Sequence, residues 1–270
     1  YLSIMDSLRA ANPKVRFILA RMTPIADRHP RFISGTKQWH GEIQSAIETV
    51  ARVSGAELID FHEPLYPYPN LLPDAIHPNP EGAGILAKTV YGGITGNYGG
   101  LQMSQLYTDY MVLQRNVPLD IHGTANAGEK ITVSIGNQTS TATADNQGKW
   151  CAVLKPMEAT DDLTLTVKAG RQTNVYRHVA VGEVWLCSGQ SNMAFMLCQA
   201  ESYKRDINNA NDPQLRLYDM KGRWETYDVA WPASCLDSLN HLQYFRPTTW
   251  QPTTPDNAKW FSAIGYYYGR

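Results

Sequence analysis

Apolar and polar positions divide the chain into three stretches with different rhythms. In the first, Tyr1, Leu2, Ile4, Met5 and Leu8 predict a helix over 1–11, ended by Asn12-Pro13. The apolar run 15–20 predicts a buried strand, and a polar loop, 21–35, follows. Trp39, Ile43, Ile47, Val50 and Val53 line one face of a helix over about 36–54, stopped by Gly55. A short strand at 57–60, a proline-rich loop at 64–73, and a helix over about 80–91 with Ile85, Leu86 and Val90 complete this stretch. Helices alternating with buried strands imply a parallel sheet with covering helices.

From about residue 99 to 180 the period changes to two. Residues 130–135 and 163–167 alternate apolar with polar, and 139–143 is polar and β-branched. Gly128-Glu129 and Asn146-Gln147-Gly148 are turn signals. Short strands about ten residues apart predict an all-β sandwich of roughly 80 residues. A third stretch, 181–270, opens with a predicted strand at 184–187 and a turn carrying Ser191. A second strand, 214–218, follows, then a loop-rich region with Trp224, Trp231 and Trp250, and a last helix starting near Thr254-Pro255. Both ends read as helices in progress, so the sequence is expected to be an internal piece of a longer chain.

The 270 residues carry 43% hydrophobic and 18% charged side chains, which implies buried cores and excludes a mostly disordered chain. A formal net charge of −1 offers no electrostatic case for nucleic acid or an anionic membrane surface. No apolar run approaches the roughly 18 to 20 residues of a membrane-spanning helix. Cys151, Cys187, Cys198 and Cys235 show no C-x-x-C or metal-finger spacing. Cys187, inside the predicted strand, reads as a buried thiol, and a Cys198–Cys235 disulfide stays open. His29, His40, His62, His122, His178 and His241 show no metal-ligand spacing and read as surface or capping residues.

Two motifs could carry chemistry. Ser191, in Gly189-Gln190-Ser191-Asn192-Met193, is placed by the predicted strand where open α/β sheets bind ligands. The alternative is a turn in which Ser191 or Asn192 caps a helix. Asp74 and His77 are three apart, so one short helical turn could present both, with Pro73 and Pro78 stiffening it. A serine needs an imidazole base, and the imidazole needs a carboxylate to fix its tautomer. The spacing alone is weak, because D-x-x-H arises by chance in about one such chain in three. Trp224, Trp231, Trp250 and Tyr266–Tyr268 could form a sugar-stacking floor, although packing roles are the simpler reading.

The segment V-G-E-V-W-L-C-S-G-Q-S-N-M, 181–193, resembles the first catalytic block of the sialate O-acetylesterase family of SGNH (GDSL-type) hydrolases. Residues 110–115, 118–123 and 148–150 resemble the β-sandwich preceding that block, and 260–267 its next helix. L-P-D-A-I-H-P-N, 72–79, with Glu81-Gly82-Ala83, resembles the last SGNH block, where Asp and His complete the triad. The resemblance implies a three-layer α/β SGNH fold, incomplete at both ends, around a central β-sandwich. It implies Ser191 as nucleophile, His77 as base and Asp74 as its orienter, with Gly189, Gln190 and Asn192 supporting the oxyanion loop. It implies an acetylated carbohydrate as substrate, no metal or organic cofactor, no nucleic-acid or membrane partner, and a secreted or periplasmic location.

The block order is inverted, because the D-x-x-H block precedes the serine block. Two explanations compete, tandem domains and permuted halves of one domain that fold together; tandem domains explain the order best, with 1–98 the end of one SGNH domain, 99–180 the sandwich and 181–270 the start of a second. No third strand for a single shared sheet is found. Ser191 and His77 are then expected in different active sites, and the fragment alone may lack activity. Competing readings are an acetylxylan or hemicellulose esterase and a non-catalytic glycan-binding protein that uses the sandwich.

Overall fold

The computed structural model describes residues 1–25, 36–222, 235, 238 and 243–270. In its first stretch, helix α1 (Leu2–Ala11) leads to strand β1 (Ile18–Arg21), and helix α2 (Thr36–Ser54) crosses to strand β2 (Glu57–Asp60). The two strands pair in parallel, Ile18 opposite Glu57 and Arg21 opposite Asp60. β1 starts three residues later than the apolar run suggests, because the ladder can be no longer than the four residues of β2. Helix α3 (Pro80–Thr95) runs a turn past its predicted end and stops at Gly96, which takes the left-handed conformation. Arg16 secures this helix to the sheet: its guanidinium bridges the Glu57 carboxylate and the carbonyls of Gly93 and Ile94 at the helix C-terminus. These elements make the first stretch α/β, as expected.

Strands β3 (Gln102–Met103), β5 (Leu119–Thr124) and β8 (Lys149–Leu154) form one antiparallel sheet. A second sheet has the order β4 (Val112–Gln114), β10 (Gln172–Gly182), β9 (Thr160–Ala169), β6 (Lys130–Ile135), β7 (Gln138–Thr143). Only the β4–β10 pairing in it is parallel. The period-two pattern is realised residue by residue. Ile131, Val133 and Ile135 of β6, Leu165 and Val167 of β9, and Trp150, Ala152 and Leu154 of β8 all enter one buried cluster. Each such aliphatic side chain contributes roughly 1.5–3 kcal/mol on burial. β10 runs two residues past the expected boundary at 180.

The first stretch is fastened to these sheets. Backbone N–H groups of Tyr98 and Gly100 both donate to Asn126 Oδ1, at 3.0 and 3.1 Å. The Tyr98 hydroxyl donates to the Asn146 carbonyl at 2.7 Å. Gln147 Nε2 reaches the Leu58 carbonyl on the outer edge of β2 at 3.3 Å. The Tyr98 ring lies so close to Gly92 and Gly148 that a Cβ on either would sit 2.5 and 2.7 Å from its atoms. Gly148 also holds φ +77°, which disfavours any side chain.

The third stretch departs from expectation at its start. Residues 184–187 form no strand. The Val184 N–H donates to the Gln114 side chain, and Trp185 and Leu186 are 59% and 89% exposed. A strand needs a ladder partner, and no described strand pairs with this segment. Cys187 is accordingly half-buried rather than enclosed, and all four cysteines are free thiols. Beyond Ser191 come two single-turn helices, α4 (Ser191–Ala194) and α5 (Tyr203–Asp206), then strand β11 (Asp212–Tyr218). β11 pairs antiparallel with β12 (Trp250–Thr253), a strand the sequence reading left as loop. The predicted last helix is broken in two, α6 (Pro255–Ala258) and α7 (Ala263–Gly269). Thr254 caps α6 and Ser262 caps α7, accepting from the N–H groups of Asn257 and Gly265.

The β11–β12 pair is anchored on the large sheet. Trp250 packs against the buried cluster and its indole N–H donates to the Leu106 carbonyl at 3.1 Å. Arg216 Nη1 donates to the carbonyls of Tyr110 and His178, two residues with positive φ whose rings stack at 4.8 Å. Of the residues named for a stacking floor, Trp250 is anchored, Tyr266 is buried and Tyr267 donates to Asp206, while Tyr268 is 60% exposed. Trp224 and Trp231 lie outside the described residues, as do His29 and His241.

Candidate active-site elements

Leu65, Leu71 and Leu72 form a small buried cluster under the loop that carries Asp74 and His77. Above it the chain turns through Ala75, which is buried and has φ +70°, so Asp74 and His77 meet across a tight turn and not along the expected helical one. Asp74 organises that turn. Its Oδ1 accepts the N–H groups of Ile76 and His77 at 3.0 and 2.7 Å, and its Oδ2 lies 2.6 Å from His77 Nδ1. The bond with the His77 ring and then these two backbone bonds hold the Asp74 carboxyl well below the usual carboxylate range. An ionised carboxylate only accepts, so Nδ1 carries a hydrogen and neutral His77 presents a bare Nε2. His77 is 78% exposed, which leaves that nitrogen open to a reacting hydroxyl. Asn79 then caps α3, accepting from the Gly82 N–H at 2.9 Å.

Around the carboxyl ends of β1 and β2 stand groups that sequence reading passed over as bland. His40 Nε2 bonds the Thr23 carbonyl at 2.9 Å, and Gln44 bonds both backbone groups of Met22. His62 stacks on Tyr66 at 5.5 Å and neighbours His40 at 5.7 Å. Burial, then His40 and Arg21, hold His62 below its ordinary pKa of 6.5. The Thr23 hydroxyl comes within 3.5 Å of the Ile76 carbonyl, linking the β1 loop to the His77 loop. Only Thr23 and His62, just after short strands, could have been marked by position in the sequence; His40 and Gln44 lie within α2.

Ser191 is exposed and is the first residue of α4. Gln190 occupies the N-cap position and makes no side-chain cap bond; its carbonyl accepts the Ala194 N–H at 2.9 Å. Ser191 and Asn192 therefore do not cap the helix. Gly189 packs closely over Met193, where a Cβ would stand 3.1 Å from Met193 Cβ. Met193 Sδ in turn accepts the Ser262 hydroxyl at 3.1 Å, which couples the serine turn to α7. Asn192 is exposed. The strand expected before Ser191 is not formed, so the serine follows an unpaired segment and opens α4.

Asp74 and His77 are hydrogen-bonded to each other, and among the described residues neither is hydrogen-bonded to Ser191. Among the described residues no hydrogen bond or ion pair connects residues 1–95 with 184–270. Each side is tied separately to the intervening sheets, the first through Tyr98 and Gln147, the second through Arg115, Gln114 and Arg216. Among the described residues no cluster of three or more His, Cys, Asp or Glu could hold a metal ion, and no helix is long and apolar enough to cross a membrane.

Residues 1–85 match the GDSL-like lipase/acylhydrolase family. The chain is also similar to the sialate O-acetylesterase of Rattus norvegicus, 24% identical over 205 residues covering 71% of this chain and 37% of that protein. A match of that extent reaches well beyond the acylhydrolase segment. The sialate O-acetylesterase of Homo sapiens is 26% identical over 191 residues, covering 63% of this chain and 34% of its own. Among solved structures, a carbohydrate acetylesterase from Xanthomonas citri superposes with a TM-score of 0.52 at 30% identity, covering 62% of this chain and 36% of that one. The chain thus spans about a third of the length of the relatives it matches.

Proposed function

We propose that the protein is a serine carboxylic-ester hydrolase that removes acetyl groups from a carbohydrate. The observation that carries this reading is the Asp74–His77 pair, inside the segment that matches the acylhydrolases. Its imidazole has a fixed tautomer and an open Nε2, which is what a general base for a serine hydroxyl requires. The similarity to sialate O-acetylesterases and to a carbohydrate acetylesterase supports an acetyl ester on a glycan as the substrate class. The exposed, non-capping Ser191 favours an enzyme over a purely glycan-binding protein.

In this reading the chain holds parts of two sites. Residues 1–98 supply Asp74 and His77 to the first, where His77 Nε2 takes a proton from a serine of that domain. Residues 181–270 supply Ser191 to the second, where Oγ attacks the acetyl carbonyl and the Ser191 N–H faces the developing oxyanion, with Gly189, Gln190 and Asn192 shaping the loop. One such donor is worth about 3 kcal/mol in the transition state. Residues 99–180 act as a β-sandwich spacer, a reading supported by two sheets that share one buried cluster.

Acetate release from O-acetylated sialic acid and from acetylated xylan, measured on the full-length protein, tests this. Loss of one activity in His77→Ala and of another in Ser191→Ala is expected. Unchanged acetate release in both variants would overturn the assignment.

A further inference from the structure

The turn that carries His77 is held from two sides. A trans peptide has its C=O and N–H on opposite edges. In the peptide joining Ile76 to His77, the N–H donates to Asp74 Oδ1 at 2.7 Å and the C=O accepts the Thr23 hydroxyl at 3.5 Å. The His77 side chain is exposed, so little packing aims it. Its direction follows from the Nδ1 bond to Asp74 and from the tilt of that peptide. We propose that Thr23 is a positioning residue for His77, on the reading of His77 as the base given above, and that His40 and Gln44 keep Thr23 in place.

The hold on Thr23 comes from α2. The β1–β2 ladder ends at Arg21, so the residues after it have no strand to bond to. His40 and Gln44 are four apart, which puts both on one face of the helix. Gln44 is buried, and its amide serves both backbone groups of Met22, accepting the N–H at 2.8 Å and donating to the carbonyl at 2.9 Å. One side chain thus supplies the pairing that a neighbouring strand would give. His40 Nε2 donates to the Thr23 carbonyl at 2.9 Å. With Met22 and the Thr23 backbone fixed, the Thr23 hydroxyl is presented to the Ile76 carbonyl. This link is the longest of the four, and a substitution can cut it without touching Asp74. Small shifts matter at a base, since a displacement of about 1 Å costs on the order of 10²-fold in rate.

The test uses the full-length protein and its His77-dependent acetate release, the part lost in His77→Ala. Thr23→Val keeps the shape of the side chain and removes the hydroxyl. It is expected to lower kcat about tenfold with KM unchanged, while Thr23→Ser stays within about twofold of the parent. His40→Leu is expected to lower kcat as much, and the double variant no further, because both cut one path. Full kcat in Thr23→Val, or losses that multiply in the double variant, would overturn the proposal. A second readout is independent of the chemistry. In protein carrying ¹⁵N-labelled histidine, the His77 ring signals, assigned with His77→Ala, are expected to show the Nδ1–H tautomer in the parent and a mixture in Thr23→Val. Unchanged ring signals in that variant would overturn the proposal whatever the activity. Full acetate release in His77→Ala would instead remove His77 as the base, and the ring signals would still decide the role of Thr23.

Discussion

Asp74 uses one carboxylate oxygen to shape its own loop and the other to hold His77 Nδ1 at 2.6 Å. A single side chain thus fixes the backbone of the turn, the tautomer of the imidazole and the direction of its free nitrogen. That division of labour explains how so exposed a histidine can be aimed without burial.

Asp74→Asn separates these tasks. The amide can still accept the backbone N–H groups, but it can present NH2 to Nδ1 and so favour the wrong tautomer. The ester-cleaving activity that depends on His77 is expected to fall by roughly 10³–10⁴-fold in kcat with little change in KM. Steady-state kinetics on the full-length protein checks this; a fall below tenfold would remove Asp74 from the role.

Ser191 makes no cap bond, so its hydroxyl contributes little to folding. Ser191→Ala is expected to change unfolding free energy by less than about 0.5 kcal/mol, whereas a capping serine would cost about 1 kcal/mol. Urea denaturation of both proteins distinguishes the two.

The Tyr98 joint leaves no room for a methyl group. Gly148→Ala places a Cβ 2.7 Å from the ring and imposes φ +77° on a residue that disfavours it. A loss of about 1–3 kcal/mol is expected. Gly84→Ala, whose Cβ meets nothing within 4 Å inside α3, is the contrasting control and is expected to stabilise by about 0.5–1 kcal/mol.

His62 supplies a pH dependence. Its folded pKa lies below the unfolded value of 6.5, so the unfolded chain binds the proton more readily. The contribution to stability is complete above pH 6.5 and declines as pH falls through the depressed folded value. His62→Gln is expected to flatten the decline in melting temperature between pH 7.5 and 5. An identical decline in variant and parent would assign it elsewhere.

Helix α2 was legible because Ile43, Ile47 and Val50 recur at helical spacing, although Ile43 is 46% exposed, and the sheets of the middle stretch were legible because period-two runs such as Ile131-Val133-Ile135 leave no second reading. The Asp74–His77 pairing was legible as a spacing, but not its mechanism: Ala75 in the left-handed region and the Asp74 backbone bonds leave no compositional trace. Residues 184–187 misled for a physical reason. Strand propensity is a statement about partners, and an apolar run with no neighbouring ladder stays unpaired. β12 was missed for the converse reason, since Pro252 argues against a strand in the sequence while β11 offers an edge to pair with. The helix after Thr254 was read as continuous because Trp260-Phe261 extend its apolar face; the Ser262 cap that restarts it is one hydroxyl among many.

The most direct test of the account is intact-mass labelling of the full-length protein with a fluorophosphonate, a probe that modifies a serine only where a base and an oxyanion hole are assembled. The account predicts stoichiometric labelling at Ser191, lost in Ser191→Ala and retained in His77→Ala, because the two residues serve different sites. Labelling of Ser191 that disappears in His77→Ala, or an unlabelled Ser191, would contradict it.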